Sequence, residues 1–436
     1  MKNILYLIIG FILLIPDSAY SQADTVVQFV DATDLGNVLS KKKSTKKQKS
    51  GVPEKGKLIL FVVPVIGSNP SLGAFYGVGG TGAMYLGSPE NTSISSLGSS
   101  LLITTKNQFV ASIKGTVMTP ENGWEMLVDL KYSFFSESTF GLGSDYNQPI
   151  QESWSWGGVE TAGIGGAQPM TFNQVRTHIT ALKAVSNNVY TGIGYHLDYH
   201  YGIKDLTLDL EAPNPVITSH YAYSVQEGFE PGFYTTSGLS FNLVFDSRDH
   251  TVSPYNGSFL QFTYRNNPTF LGSTKDSHQL YLESRLYKSL SKTRLRHLIG
   301  LWGIAQIQTK GSLPYLDLPA SSYDMRNRIG RGYVAGRFRG PAWVTLETEY
   351  RFPITANGLL GGVLFASGTT TSRDAIDNPS LGIDEPKLSL FKAIRPAAGF
   401  GARVMLNRSG RLNLTMDMAF GQNGSKGFYF AVGETF

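Results

Sequence analysis

Side-chain polarity alternates with a period of two through one strand-length segment after another, from about residue 57 to residue 436. Side chains two apart share a face of a β-strand, so the pattern calls for strands with one apolar and one polar face. In Trp124–Phe135, the residues Trp124, Met126, Val128, Leu130, Tyr132 and Phe134 fall on one side. Glu125, Asp129, Lys131 and Ser133 fall on the other, with Leu127 the exception. Ile193, Tyr195, Leu197, Tyr199 and Tyr201 oppose Gly192, Gly194, His196, Asp198 and His200. Leu239, Phe241, Leu243 and Phe245 oppose Ser240, Asn242 and Asp246, and the even residues Leu412 to Phe420 oppose Asn413, Thr415 and Asp417.

Alternation alone does not say which face turns inward. A soluble sandwich would bury the apolar face; a transmembrane barrel would present it to lipid. Two features favour the barrel. Lys2, an apolar run from Ile4 to Ile15 and the small-x-small triplet Ala19-Tyr20-Ser21 read as a signal peptide over residues 1–21. That run is shorter than the roughly 20 residues needed to cross a bilayer as a helix, so the mature chain would enter a membrane as strands.

The second feature is the number of segments. Candidates lie near 57–67, 73–86, 95–105, 107–119, 124–136, 171–184, 189–203, 237–248, 257–267, 278–290, 296–309, 341–354, 359–371, 394–407, 410–422 and 426–436. Bacterial barrels have an even number of strands, and a Lys or Arg turned to lipid at mid-membrane costs ~2–4 kcal/mol, which places the polar face inside. Long connections near 137–170, 204–236, 310–340 and 372–393 alternate with tight turns such as Asn187-Asn188 and Arg408-Ser409-Gly410. Long loops are expected outside the cell and short turns in the periplasm. The predicted fold is therefore an all-β transmembrane antiparallel β-barrel of about 16 strands. It spans 57–436 in the outer membrane, behind a short basic periplasmic tail, 22–56.

Composition agrees. Hydrophobic residues make up 41% of the chain, too few for a multi-helix membrane protein, whereas 48 Gly, 22 Tyr and 25 Phe suit strands with aromatic borders. Cysteine is absent, which excludes disulfides, thiolate metal sites, cysteine nucleophiles and lipoprotein anchoring. The net charge of +5 includes six lysines between Lys41 and Lys49; without them it is −1. The basicity belongs to a tail, so no nucleic-acid-binding face is expected. The run reads as a solvated linker, or as a contact for anionic lipid headgroups or an acidic partner.

The sequence closes on Phe430-Ala431-Val432-Gly433-Glu434-Thr435-Phe436. Alternate apolar residues and a final aromatic resemble the signal by which outer-membrane barrels are recognised for insertion, with Phe430, Val432, Gly433 and Phe436 carrying it. Three further stretches are more specific. The first is Phe245-Asp246-Ser247-Arg248-Asp249 followed by Pro254-Tyr255-Asn256-Gly257, in which Pro254 and Gly257 suit a tight turn. The second is Ile329-Gly330-Arg331-Gly332-Tyr333 with Gly336-Arg337-Phe338-Arg339-Gly340, at the end of a long loop. The third is Glu347-Thr348-Glu349-Tyr350-Arg351-Phe352-Pro353.

In this order the three resemble motifs of the BamA/TamA-like outer-membrane assembly superfamily: a strand-turn-strand motif on Asp246, Arg248, Asp249 and Gly257, a lumen loop on Arg331, Gly332 and Tyr333, and a wall strand. The resemblance implies a long loop folded back into the lumen, with Arg331 paired to Glu349 and Asp417 on the inner wall. A departure lies at Ala366-Ser367-Gly368, where relatives commonly carry an aspartate before the glycine. Relatives also usually carry periplasmic POTRA domains; residues 22–56 are too few for one, so the resemblance points to a POTRA-less branch.

Weaker signals stand beside these. His196, Asp198 and His200 share a face and are weak candidates for a metal site, read more simply as a polar lumen stripe. Asp374, Asp377, Asp384 and Glu385 fall in an external loop, where they are solvated or bridge cations. No nucleophile motif of the Gly-x-Ser-x-Gly type occurs, and neither an enzyme active site nor a cofactor is expected. The resemblance implies insertion, assembly or translocation of proteins or lipids, with client barrels, periplasmic or lipoprotein partners, outer-membrane lipids and lipopolysaccharide as partners. The alternative is a stable pore, anchor or complex subunit. Client and oligomeric state are not legible in the sequence.

Overall fold

The computed structural model describes residues 33–34, 55–69, 71–145, 167–213, 216–250, 253–294, 296–322, 329–378, 383–408 and 411–436. The expected signal peptide and the lysine run lie outside the described residues. The strands are β1 (Ile59–Asn69), β2 (Gly73–Met84), β3 (Ser95–Thr104), β4 (Phe109–Met118), β5 (Trp124–Thr139), β6 (Gln168–Ser186), β7 (Val189–Asp205), β8 (Phe233–Asp246), β9 (Gly257–Asn267), β10 (Ser277–Ser289), β11 (Leu298–Gly311), β12 (Ala342–Pro353), β13 (Leu360–Thr371), β14 (Ile376–Asn378), β15 (Ile383–Glu385), β16 (Ile394–Asn407), β17 (Leu412–Phe420) and β18 (Lys426–Val432). β14 and β15 form a small separate hairpin, and the other sixteen close into one antiparallel barrel in which neighbours in sequence are neighbours in space.

The alternation resolves as apolar-out. Leu239, Phe241 and Leu243 on β8 face away from the barrel, while Ser240 and Asn242 between them are buried in the lumen. On β5, Trp124, Met126 and Tyr132 face outward and Asp129 and Ser133 inward. A strand in lipid must satisfy every backbone group through its neighbours, and closure of the sheet does so.

The four long connections all leave the same end of the barrel, as strict antiparallel order requires. Their described parts fold into a cap over β5–β8. Helix α1 (Ser219–Glu227) starts at Thr218, whose hydroxyl accepts from Tyr221 N, and stops at Gly228 in the left-handed region. The cap has an apolar centre of Leu142, Phe172, Tyr223, Phe229, Tyr234, Leu313 and Tyr315. Its buried phenols are satisfied: Tyr223 Oη donates to Leu313 O at 2.8 Å, and Tyr234 Oη accepts from Leu316 N at 3.1 Å. Arg373 forks onto both carboxylate oxygens of Asp145, tying the first long loop to the last.

One strand departs from expectation. The alternating segment 426–436 is a strand only to Val432. Gly433 takes φ +97°, in the left-handed region open to glycine, and Glu434, Thr435 and Phe436 turn into the lumen, where all three are buried. Phe436 therefore does not face lipid, and its signal-like position in the sequence does not correspond to an outward position in the wall.

Asp317 of the cap is buried. Asp317 accepts from Thr236 Oγ1 at 2.5 Å and lies 3.5 Å from His200 Nδ1. Burial, reinforced by Asp198, pushes its pKa up to about 7 from the usual 3.8, against the Thr236 hydrogen bond. A raised acid pKa means that the folded cap binds the proton more tightly than the open chain, so cap stability falls as pH rises from about 4 through about 7. We expect Asp317→Asn to be neutral at pH 4 and to slow hydrogen exchange in residues 312–322 at pH 8. Equal exchange in both proteins across that range would refute this account.

Candidate functional site

The lumen site begins with β12. Alternation turns Glu347, Glu349 and Arg351 to one side, and all three are buried inside, while Leu346 and Tyr350 face out. Across the lumen wall, Arg403 on β16 and Asp417 on β17 also point inward and are buried. The long loop between β11 and β12 lowers Arg331 into this group, with its side chain almost fully enclosed. Arg331 Nη1 donates to Asp417 Oδ2 at 2.7 Å and Nη2 to Glu347 Oε1 at 2.6 Å; Nη2 also reaches Glu349 Oε1. The guanidinium lies 3.5 Å from the ring centroid of Phe365 on β13. That stacking supplies a cation–π contact from β13.

Two of the three acids are shared. Glu349 also accepts from Arg351 Nε at 2.6 Å, and Asp417 also binds Arg403. Both second arginines then hold the inturned segment. Arg351 Nη2 donates to Phe436 O at 2.9 Å, and Arg403 Nε to Glu434 Oε2 at 2.9 Å. Two relays therefore run from the loop to residues 434–436, one through Glu349 and Arg351, the other through Asp417 and Arg403. Burial alone would raise the pKa of Glu434, but Arg403, Arg351 and Arg296 outweigh it and bring it down to about 2.

The loop also touches both sides of the seam where β1 meets β18. Gly332 N donates to Tyr429 Oη on β18 at 2.9 Å, and Gly332 O accepts from Ser425 Oγ at 2.6 Å. Tyr333 Oη donates to Pro396 O and accepts from Gln422 N. Ala335 N donates to Ser71 Oγ, just beyond β1, at 2.6 Å. Arg337 lies over the rings of Phe140 and Phe338.

The seam itself is thin. Every residue of β1 from Ile59 to Asn69 has a partner on β2, but β1 and β18 share the single pair Ser68 and Phe430. The cause can be read from the backbone. Ala74, opposite Ser68, gives its carbonyl to Thr105 N on the β3 side. Ser68 therefore turns its own N–H and C=O away from β2, toward β18. With no bulge in β1, Pro64 shares that orientation, and it has no N–H to offer. On the other side Gly433 has already taken the chain inward. Both edges abandon the ladder at the same level.

The strand-turn motif builds the turn between β8 and β9. Arg248 forks onto Asp246 at 2.8 and 2.7 Å. Asp249 accepts from Tyr255 N and Asn256 N and pairs with Arg411 at 2.8 Å, joining this turn to the one between β16 and β17. Gly257 takes φ +101°, and a Cβ there would lie 2.3 Å from Ser247 O.

The weak metal candidates do not converge. Asp198 accepts from Arg176, His178 and Arg265. His196 bonds Ser240, and His200 sits in the cap beside Asp317. Among the described residues no three His, Asp or Glu side chains could hold a metal ion. Sequence reasoning missed Glu347, Arg351, Arg403 and Glu434. Glu347 and Arg351 were legible as the same-face neighbours of Glu349; Glu434 was legible as a carboxylate that strict alternation would have sent into lipid.

The family model of the Omp85 superfamily domain matches residues 124–436. Among solved structures, BamA from Haemophilus ducreyi lacking POTRA domains 1–3 is similar with a TM-score of 0.53 and 14% identity, over 86% of this chain and 70% of that one. CdiB from Acinetobacter baumannii follows with a TM-score of 0.50 and 11% identity, over 86% of this chain and 60% of that one. No curated protein sequence matches.

Removing one partner from a buried ion cluster strands the others, at a cost of about 3–5 kcal/mol. We expect Arg331→Ala to lose that much in urea unfolding of the lipid-embedded barrel, and Arg331→Lys to lose less, because it keeps the charge without the fork. Wild-type stability in Arg331→Ala would contradict the structural role. Glu434 should add stability above about pH 4.5 that fades as pH falls toward 2, and Glu434→Gln should flatten that slope.

Proposed function

The chain belongs to the Omp85 superfamily and is an integral barrel of the outer membrane; from that premise we propose that it serves insertion, assembly or translocation of proteins or lipids there, with the β1–β18 seam as its working edge. The observation that carries this reading is the single residue pair across the seam. An edge strand presents unpaired N–H and C=O groups, and an extended segment can add to it as a new strand. In hydrocarbon each unsatisfied backbone group costs several kcal/mol, so an incoming strand has a strong reason to pair. Separating β1 from β18 sacrifices little ladder, whereas opening the barrel at any fully paired interface would sacrifice a whole one.

The Arg331 loop acts as the latch in this reading. It bonds Tyr429 on one side of the seam and Ser71 on the other, and its arginine is anchored in the wall. Opening the seam must break or stretch one of those contacts. The sequence motif that resembles the family thus supports a gate with an internal strap, while the cap over the outer mouth weighs against a wide open channel. The clients and partners expected from the sequence, barrel proteins, periplasmic or lipoprotein partners and lipids, belong to this proposal.

The test is a lock. In this cysteine-free chain, Ser68→Cys with Phe430→Cys places two thiols at the one paired position of the seam. In cells depleted of the wild-type copy, the oxidised double variant should lose activity, read as the yield of folded outer-membrane barrels. Reductant should restore it to the level of the two single variants. Full crosslinking with an unchanged outer membrane would overturn the gate and leave the closed pore, anchor or subunit.

A further inference from the structure

The outer surface of the wall carries a cation at the end of the barrel opposite the cap. Lys288 on β10 stands opposite Ile299 on β11, Ile299 opposite Tyr350 on β12, and Tyr350 opposite Leu364 on β13. Ile299, Tyr350 and Leu364 are exposed on the lipid side. Lys288 is exposed on that side too, since its neighbour Tyr287 is buried in the lumen. A Lys turned to lipid is expensive at mid-membrane and costs little only at the interface. This row therefore marks the level of the headgroups. Tyr350 suits that level: its ring stacks on Phe352, and its phenol shares a hydrogen bond with His297 Nε2 at 3.1 Å.

Two more cations stand just beyond the row. The β10–β11 turn holds Lys292 and Arg294, both exposed, after the exposed Leu290. Its backbone is pinned. Leu290 N donates to His297 O at 2.7 Å, and Ser291 Oγ accepts from Thr293 N at 3.2 Å and from Arg294 N at 3.0 Å. Ser289 N donates to Asn256 Oδ1 at 3.0 Å, joining the β8–β9 turn. No acid offers itself to these cations. None occurs in the sequence between Glu283 and Asp317, and Glu283 is turned into the lumen, bound to Arg285 and Trp302. On the adjoining β8–β9 turn, Asp246 and Asp249 are taken by Arg248 and Arg411. Among the described residues Lys288, Lys292 and Arg294 have no ion-pair partner. Three unneutralised charges therefore share one turn at headgroup level, where phosphates are the nearest anions.

We propose that the end of β10 and the β10–β11 turn form a binding site for an anionic phospholipid of the adjoining leaflet. Lys288 meets the headgroup phosphate from the lipid-facing wall, Lys292 and Arg294 meet it from the turn, and Leu290 and Ile299 pack against the first part of the acyl chains. The site lies six wall strands from the seam by the shorter way and does not depend on whether the seam opens. A lipid held there fixes the level of the barrel on the side away from the seam.

The test uses the full chain in phosphatidylcholine liposomes, with Thr293→Cys as its one thiol carrying a bimane fluorophore. The quencher is a lipid spin-labelled high on the acyl chain, with either a phosphatidylglycerol or a phosphatidylcholine headgroup. Each cation near an anionic surface contributes about a factor of five. Phosphatidylglycerol should therefore quench at a mole fraction at least about tenfold lower than phosphatidylcholine. About 0.5 M salt should erase the difference. Lys288→Gln, Lys292→Gln and Arg294→Gln together should erase it as well; that variant keeps the lysines of residues 41–49, and with them any general attraction of the chain to the membrane. Equal quenching by the two lipids beside the unsubstituted turn, or a preference that survives the triple substitution, would overturn the proposal and leave the three cations to an acidic protein. Displacement of the lipid by millimolar glycerol phosphate would also overturn it, because the turn would then be a site for free anions. If the triple variant does not fold, the salt titration carries the test alone, and a preference unchanged by salt sinks the proposal.

Discussion

A guanidinium sealed inside a barrel has to be neutralised where it sits, and much of the described lumen is arranged around that demand. Arg331 requires acids, and Glu347, Glu349 and Asp417 supply them from two walls. Three carboxylates around one cation are themselves too many, so Arg351 and Arg403 enter beside them. These bring in Glu434 and the carbonyl of Phe436. Each step answers the unpaired charge left by the one before, because the cost of a stranded buried ion exceeds that of adding its partner. Loop, wall and inturned segment are consequently parts of one electrostatic unit, and a change in any of them is felt by the others.

The arrangement sits beside the thinnest part of the barrel. Elsewhere, neighbouring strands are paired along much of their length, which is what lipid demands of a backbone. At the seam the wall has one paired position, and the polar loop inside supplies contacts to both edges. Stability that a ladder would have provided is moved into side chains and a strap, which can be released separately. That is the physical content of the gate reading: an edge held shut by interactions other than its own hydrogen bonds.

Much of this was legible in the residues. The period of two in β5, β8 and β17 set the inner and outer faces, and sixteen segments matched sixteen wall strands. The motif carrying Arg331 and the alternation of β12 were enough to bring Arg331 toward Glu349. Two things were not legible. The cap is held by apolar packing among loops far apart in sequence, in the cluster that takes in Leu142, Phe229 and Tyr315, and no local period marks such packing. The inturned segment imitates a strand in its alternation; its departure depends on one glycine torsion and on arginines placed by other strands.

Pro64 has one more consequence, and it concerns time rather than affinity. Any strand that adds to β1 from the seam side meets backbone groups at Leu60, Val62, Pro64, Ile66 and Ser68, and finds a donor missing in the middle. Its ladder is cut into two short runs. Short runs come apart independently and quickly, whereas a continuous ladder must be unzipped from its ends. An uninterrupted edge would keep the first strand it caught; an edge with a proline at its centre can let go, and so can turn over.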